Sequence, residues 1–91
     1  MYRIEAISTR IRRELRRIPS ADRKRVVTAI RRLAEEPRPP GIKQLAPNVY
    51  RLRIGPYRVI YRVFDEERVV LIGRIARRSE STYRDWEDLF E

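Results

Sequence analysis

The stretch Tyr50-Arg51-Leu52-Arg53-Ile54-Gly55-Pro56-Tyr57-Arg58-Val59-Ile60-Tyr61 contains two alternating runs separated by a glycine-proline pair. Alternation of apolar and polar side chains marks a strand with one buried face, and Gly-Pro between two such runs marks a turn. The stretch therefore predicts a β-hairpin. With Gly55 and Pro56 as a two-residue turn, Ile54 faces Tyr57, Leu52 faces Val59 and Tyr50 faces Tyr61, which makes one face apolar. The other face sets Arg53 directly opposite Arg58, with Arg51 one pleat step away. Like charges directly opposed across a sheet are destabilising. This face therefore calls for neutralisation from outside the chain, and a polyanion is the most economical agent.

Downstream of the hairpin, Phe64-Asp65-Glu66-Glu67-Arg68 turns the chain into a third run, Val69 to Ala76. A three-residue loop at 65 to 67 pairs Tyr61 with Leu71 and Val63 with Val69, and sets Arg74 opposite Arg58 on the arginine face. A four-residue loop would instead bury Arg74, so the shorter loop is the expectation. Upstream, residues 37 to 48 hold four of the six prolines and read as an ordered loop. Before it lie two helices. Ser8 or Thr9 caps the first, with Ile11, Leu15 and Ile18 as its apolar stripe, and Pro19 ends it. Ser20 caps the second, whose stripe is Val26, Val27, Ile30, Leu33 and Ala34. Arg10, Arg12, Arg13, Arg16 and Arg17 clothe the outside of the first helix and read as a solvated face. Tyr2 to Ile7 alternates weakly and predicts a first strand. In the tail, Tyr83, Trp86 and Phe90 recur at helical spacing with Leu89 alongside, which predicts a short amphipathic helix. The expected architecture is α+β: an N-terminal strand, a two-helix hairpin, a three-stranded antiparallel meander and a short C-terminal helix, forming a single domain over residues 1 to 91.

A chain of 91 residues supports one modest core. There is no cysteine and no histidine, so no disulfide framework and no Cys- or His-based metal site is expected, and no carboxylate cluster has metal-ligand spacing. No apolar run approaches the length of a membrane span, and the N-terminus lacks the apolar block of a signal peptide, so a soluble cytoplasmic protein is expected. The net charge of +9 implies an acidic partner, nucleic acid first and an acidic protein second. All bases but Lys24 and Lys43 are arginine, whose planar fork suits phosphate. The tail reverses the sign: from Ser79 onward Arg84 is the only base, against Glu80, Asp85, Glu87, Asp88 and Glu91.

Lys43-Gln44-Leu45 followed by the hairpin sequence resembles the RelE/ParE superfamily of bacterial and archaeal toxins, and Ala76-Arg77-Arg78-Ser79-Glu80 with Tyr83 is similar to that family's C-terminal element. The resemblance spans nearly the whole chain. It implies the toxin of a type II toxin-antitoxin pair, neutralised by an acidic antitoxin. RelE-like members are ribosome-dependent endoribonucleases that cut mRNA in the decoding site. ParE-like members share the fold but act on DNA gyrase. The RelE branch implies a metal-independent endoribonuclease without cofactor, with catalytic residues Arg53, Arg58, Arg77 and Tyr83 and RNA-binding residues Arg51, Arg74, Arg78 and Lys43. Anchoring on Tyr83 selects Arg77 for the basic position after the last strand, whereas anchoring on Arg-Ser-Glu selects Arg78.

Cleavage of RNA through its own 2′-hydroxyl needs a proton acceptor, stabilisation of charge on the phosphoryl oxygens and a proton donor for the leaving 5′-oxygen. Converging arginines meet the second need. The best-known RelE-like toxins carry lysines where this chain has Arg51 and Arg53, and a guanidinium does not release its proton at working pH. Tyr83, Lys43 and Glu80 are the candidates for proton transfer. Two further readings follow from the same residues: a ParE-like inhibitor without catalysis, and a silent relative that binds only its antitoxin.

Overall fold

A computed structural model describes residues 1–77 and Phe90. Along the chain run β1 (Arg3–Ala6), α1 (Arg10–Arg16), α2 (Ser20–Arg32), β2 (Lys43–Ala46), β3 (Val49–Ile54), β4 (Tyr57–Phe64) and β5 (Val69–Arg77). The strands form one sheet in the order β1-β5-β4-β3-β2, in which β1 runs parallel to β5 and the other neighbours are antiparallel. The architecture is α+β, as the residue pattern predicts.

The central hairpin has the expected register. Ile54 pairs with Tyr57, Arg53 with Arg58, Leu52 with Val59 and Tyr50 with Tyr61. Gly55 has φ +57°, and proline fixes a negative φ beside it, the sign pattern of a type II′ turn that matches strand twist. Tyr50, Tyr57, Val59, Tyr61 and Val63 are buried on one side, against Ile11 and Ile18 of the first helical segment and Val26, Ile30 and Leu33 of the second. The helix boundaries differ slightly from expectation: Pro19, not Ser20, is the N-cap of α2. Ser8 still receives the Arg10 amide on its Oγ at 3.3 Å. Arg23 reaches from α2 to the end of α1 and donates to the carbonyls of Leu15, Arg16 and Ile18, which a helix C-terminus leaves without intrahelical partners.

Two expectations are corrected. First, Lys43–Ala46 is a strand rather than loop, joined to β3 by Pro47 and Asn48. Asn48 has φ +62°, and proline followed by a residue of positive φ is type II turn chemistry. Second, the β4–β5 loop has four residues, since Phe64 pairs with Val69, and Tyr61 pairs with Ile72 rather than Leu71. Arg74 nevertheless stays on the arginine face, because an irregularity opposite Ile60 and Tyr61 inserts Gly73 as an extra residue in β5. A bulge of one residue reverses side-chain parity beyond it, so Arg74 lies across from Ile60 instead of Arg58. Phe90 packs on this bulge: a Cβ at position 73 would lie 2.7 Å from its Cζ. The predicted C-terminal helix otherwise falls outside the described residues.

At the far end of the sheet a polar clamp fixes the 37–48 segment. Arg38 donates to both carboxylate oxygens of Asp65 at 3.0 and 2.8 Å, to Asn48 at 2.8 Å and to the Tyr50 hydroxyl at 2.7 Å. Tyr2 donates to Asp65 at 2.6 Å. Hydrogen bonds from Arg38 and then Tyr2 draw the Asp65 carboxyl down to about 2. Beneath them the Tyr61 hydroxyl donates to the Pro37 carbonyl at 2.8 Å, and burial pushes this phenol above its ordinary range.

Candidate nucleic-acid interface

The side of the sheet away from the helices carries the charge. Because directly paired residues share a face, the register arranges this side into cross-strand rows. One row is Lys43, Arg51, Ile60 and Arg74; the next is Arg53, Arg58 and Ala76. Lys43 and four arginines thus stand on four adjacent strands, and at about 4.8 Å per strand the backbones carrying Lys43 and Arg74 are roughly 14 Å apart. Arg62, paired with Val49, adds a sixth cation on the same side, its guanidinium 4.9 Å from the centre of the Phe64 ring. Within the described strands the acid on this face is Glu5, across from Leu71 on the β1 edge and 3.2 Å from Arg3.

Exposure grades across the surface. Lys43 and Arg53 are exposed, Arg51, Arg62 and Arg74 half-buried, and Arg58 is only 8% exposed. Ile60, in the middle of the charged rows, is fully buried, and the Nε atoms of Arg51, Arg58, Arg62 and Arg74 are withdrawn from solvent. Guanidinium groups held by a folded sheet are suited to stabilising anionic oxygens.

Of the residues singled out in the sequence, Lys43, Arg51, Arg53, Arg58 and Arg74 therefore come together. Arg77 does not join them. It pairs with Tyr57, on the helix-facing side, and its guanidinium lies 5.6 Å from the centre of that ring, with Nη2 donating to the phenol oxygen at 3.4 Å. Arg78, Glu80 and Tyr83 lie outside the described residues. The sequence reading passed over Arg62 and the strand that carries Lys43. The Pro47-Asn48 pair after Lys43-Gln44-Leu45-Ala46 was the available signal for that strand. Among the described residues no cluster of His, Cys, Asp or Glu could hold a metal ion, and no helix is long and apolar enough to cross a membrane.

A single α+β layer with a basic sheet face and a helix pair behind it agrees with the comparisons to known proteins. Residues 6–82 match the family described as the ParE toxin of the type II toxin-antitoxin system parDE. The candidate toxin RelE1 of Methanocaldococcus jannaschii is 34% identical over 84 residues, covering 87% of this chain and 92% of that protein. Among solved structures, the archaeal RelE–RelB complex from Pyrococcus horikoshii superposes with TM-score 0.74 at 26% identity, covering 88% of this chain and 98% of the other. The RelBE2 toxin-antitoxin complex of Mycobacterium tuberculosis gives 0.71 at 30% identity, with 84% and 96% covered. The chain belongs to the RelE/ParE superfamily of type II toxin-antitoxin toxins. Within it the protein is RelE-like.

Proposed function

We propose that this toxin is a metal-independent, ribosome-dependent endoribonuclease that cuts mRNA and so inhibits translation. The observation that carries the reading is the convergence of Lys43, Arg51, Arg53, Arg58 and Arg74 on one face of four neighbouring strands. In the reaction the 2′-oxygen attacks the adjacent phosphorus and the bond from phosphorus to the 5′-oxygen breaks, leaving a 2′,3′-cyclic phosphate and a 5′-hydroxyl. The proton lost from the 2′-hydroxyl goes to an acceptor, and a donor protonates the leaving oxygen. Arg53 and Arg58 hold the phosphoryl oxygens while negative charge grows on them. Loss of one such preorganised donor costs about 2.7 to 4 kcal/mol in comparable sites. Arg51, Arg74 and Lys43 hold the flanking chain, joined by Arg78 beyond the described strand. Arg77, stacked on Tyr57, approaches from the rim. Lys43, Tyr83 and Glu80 are the candidate proton carriers; of these Lys43 stands in the assembled rows, where it is exposed.

An acidic antitoxin is the proposed protein partner. The net charge of +9 and the RelB-bound state of the relatives from Pyrococcus and Mycobacterium support it. The test of the enzymatic reading is cleavage of a defined mRNA on programmed ribosomes by the toxin and its Arg58→Ala and Tyr83→Phe variants. The expected result is a loss of at least about a hundredfold for Arg58→Ala. Cleavage that survives both substitutions removes the site. The match to the ParE family favours one second reading, an inhibitor of DNA gyrase without catalysis. Blocked supercoiling with mRNA left intact would establish that reading instead.

A further inference from the structure

A second basic site lies round the edge of the sheet. Beyond Ala6 the strand β1 ends, and the free edge of β5 is taken up by side chains of α1: Arg10 donates to the Gly73 carbonyl at 2.9 Å and Glu14 accepts the Ile75 amide at 2.8 Å. Below this clip a cleft of about 100 Å³ opens between α1 and the last residues of β5, lined by Arg17, Arg74, Arg77, Tyr57, Glu14 and Ile18. Tyr57, at 2% exposure, belongs to its floor. Three arginines thus line a space of phosphate size. Both Glu14 oxygens are committed, one to Ile75 and the other to Arg10 at 3.7 Å. Counting that carboxylate in full, the described lining residues carry three arginines against one acid. A helix C-terminus normally repels anions through its bare carbonyls, but here Arg23 occupies those of Leu15, Arg16 and Ile18.

We infer that this cleft binds a phosphodiester of the RNA flanking the one held on the arginine face, and that Arg17 is its principal new ligand. The inference rests on the reading of that face as an RNA interface. Arg74 connects the two, since it both lines the cleft and stands in the row with Arg51 and Lys43. A chain leaving the sheet face past Arg74 meets Arg17 and the Arg77–Tyr57 stack next. Arg17 is therefore not part of a uniformly solvated helix face, as its sequence context suggests. Two arginines of that face meet β5: Arg10 through the Gly73 carbonyl and Arg17 along the cleft.

The experiment is binding of a short single-stranded oligoribonucleotide, 2′-O-methylated against cleavage, measured by fluorescence anisotropy from low to high salt. Arg17→Ala is expected to lose about tenfold in affinity and to flatten the slope of log K against log salt by about 0.7. Arg17→Lys is expected to keep the slope without recovering all the affinity, because the ammonium lacks the fork. Arg12→Ala, which removes the same charge from another side of α1, is expected to change affinity less than about twofold. Equal effects of Arg17→Ala and Arg12→Ala, with Arg58→Ala still damaging, overturn the cleft and leave the sheet face standing. No effect from either Arg58→Ala or Arg17→Ala overturns both. If Arg17→Ala spares the oligoribonucleotide but weakens binding of an oligoglutamate peptide, the cleft serves an acidic protein and the inference is wrong.

Discussion

Replacing Arg53 by glutamine should make the protein more stable and a poorer RNA binder. Arg53 and Arg58 are direct cross-strand partners, one pair beyond the turn-closing Ile54 and Tyr57. In an antiparallel hairpin pairs alternate in kind, and the pair after the closing one is the non-hydrogen-bonded type, with Cα atoms about 4.5 Å apart and side chains close. A like-charged pair at such a site costs roughly 0.2 to 1 kcal/mol. Arg53 is exposed while Arg58 is nearly buried, so substitution at 53 leaves no cavity, and solvent screening favours the lower half of that range. For a domain of this size about 1 kcal/mol moves the melting temperature by 4 to 8 °C, so Arg53→Gln should raise it by roughly 1 to 4 °C. The assay is thermal unfolding at low salt and at 1 M salt, where screening acts over about 3 Å and the gain should vanish. Arg53→Lys, which keeps the charge, should show no gain. A lower melting temperature for Arg53→Gln at low salt, or a gain indifferent to salt, would refute the claim that Arg53 and Arg58 repel each other across the pair.

Three further outcomes test the supporting framework. Tyr61→Phe removes a fully buried hydroxyl and leaves the Pro37 carbonyl without the hydrogen bond it accepts from it, so chemical denaturation should show a loss of about 1 to 3 kcal/mol; no loss would place that carbonyl in contact with water. The Asp65 carboxyl, drawn from 3.8 to about 2 in the folded protein, contributes stability that is complete above its unfolded value and lost as pH falls through the folded one. Denaturant midpoints should therefore drop between about pH 4 and pH 2, less steeply in Asp65→Asn, and identical slopes would show that the Arg38 clamp is not formed in solution. Gly73→Ala drives a methyl into the Phe90 ring, which should cost about 1 to 3 kcal/mol by overpacking in the parent chain and much less with Phe90→Ala; equal costs in both backgrounds would place the strain elsewhere.

The hairpin was legible because everything that specifies it is local: strict alternation, a Gly-Pro turn and a two-residue loop leave one register that keeps Tyr50, Tyr57 and Tyr61 together. The helix pair was legible for the same reason, from stripes at Ile11, Leu15 and Ile18 and at Val26, Ile30 and Leu33. The strand β2 was not, since proline and glycine surround it and its pairing with β3 begins only once the chain has turned at Pro47 and Asn48. Its absence from the sequence reading left Lys43 in a loop, although the strand sets it beside Arg51.

The amino-acid pattern alone determined that an arginine face exists and that Arg51, Arg53 and Arg58 share it, because parity along a strand is a property of the covalent chain. It also placed Arg74 on that face, but through a loop of the wrong length. Only the tertiary structure decided how Arg74 gets there: a four-residue loop shifts the register by one, and the bulge at Gly73 shifts it back. Parity arguments fail at an inserted residue; the isolated Gly73 within the strand pattern is compatible with a bulge but does not by itself say that one forms there. The same holds for Arg17 and Arg77. Whether an arginine at a helix end or strand end faces solvent or a cleft depends on how α1 docks along β5, through Arg10 and Glu14 reaching the strand's free edge, and those contacts join residues more than sixty positions apart.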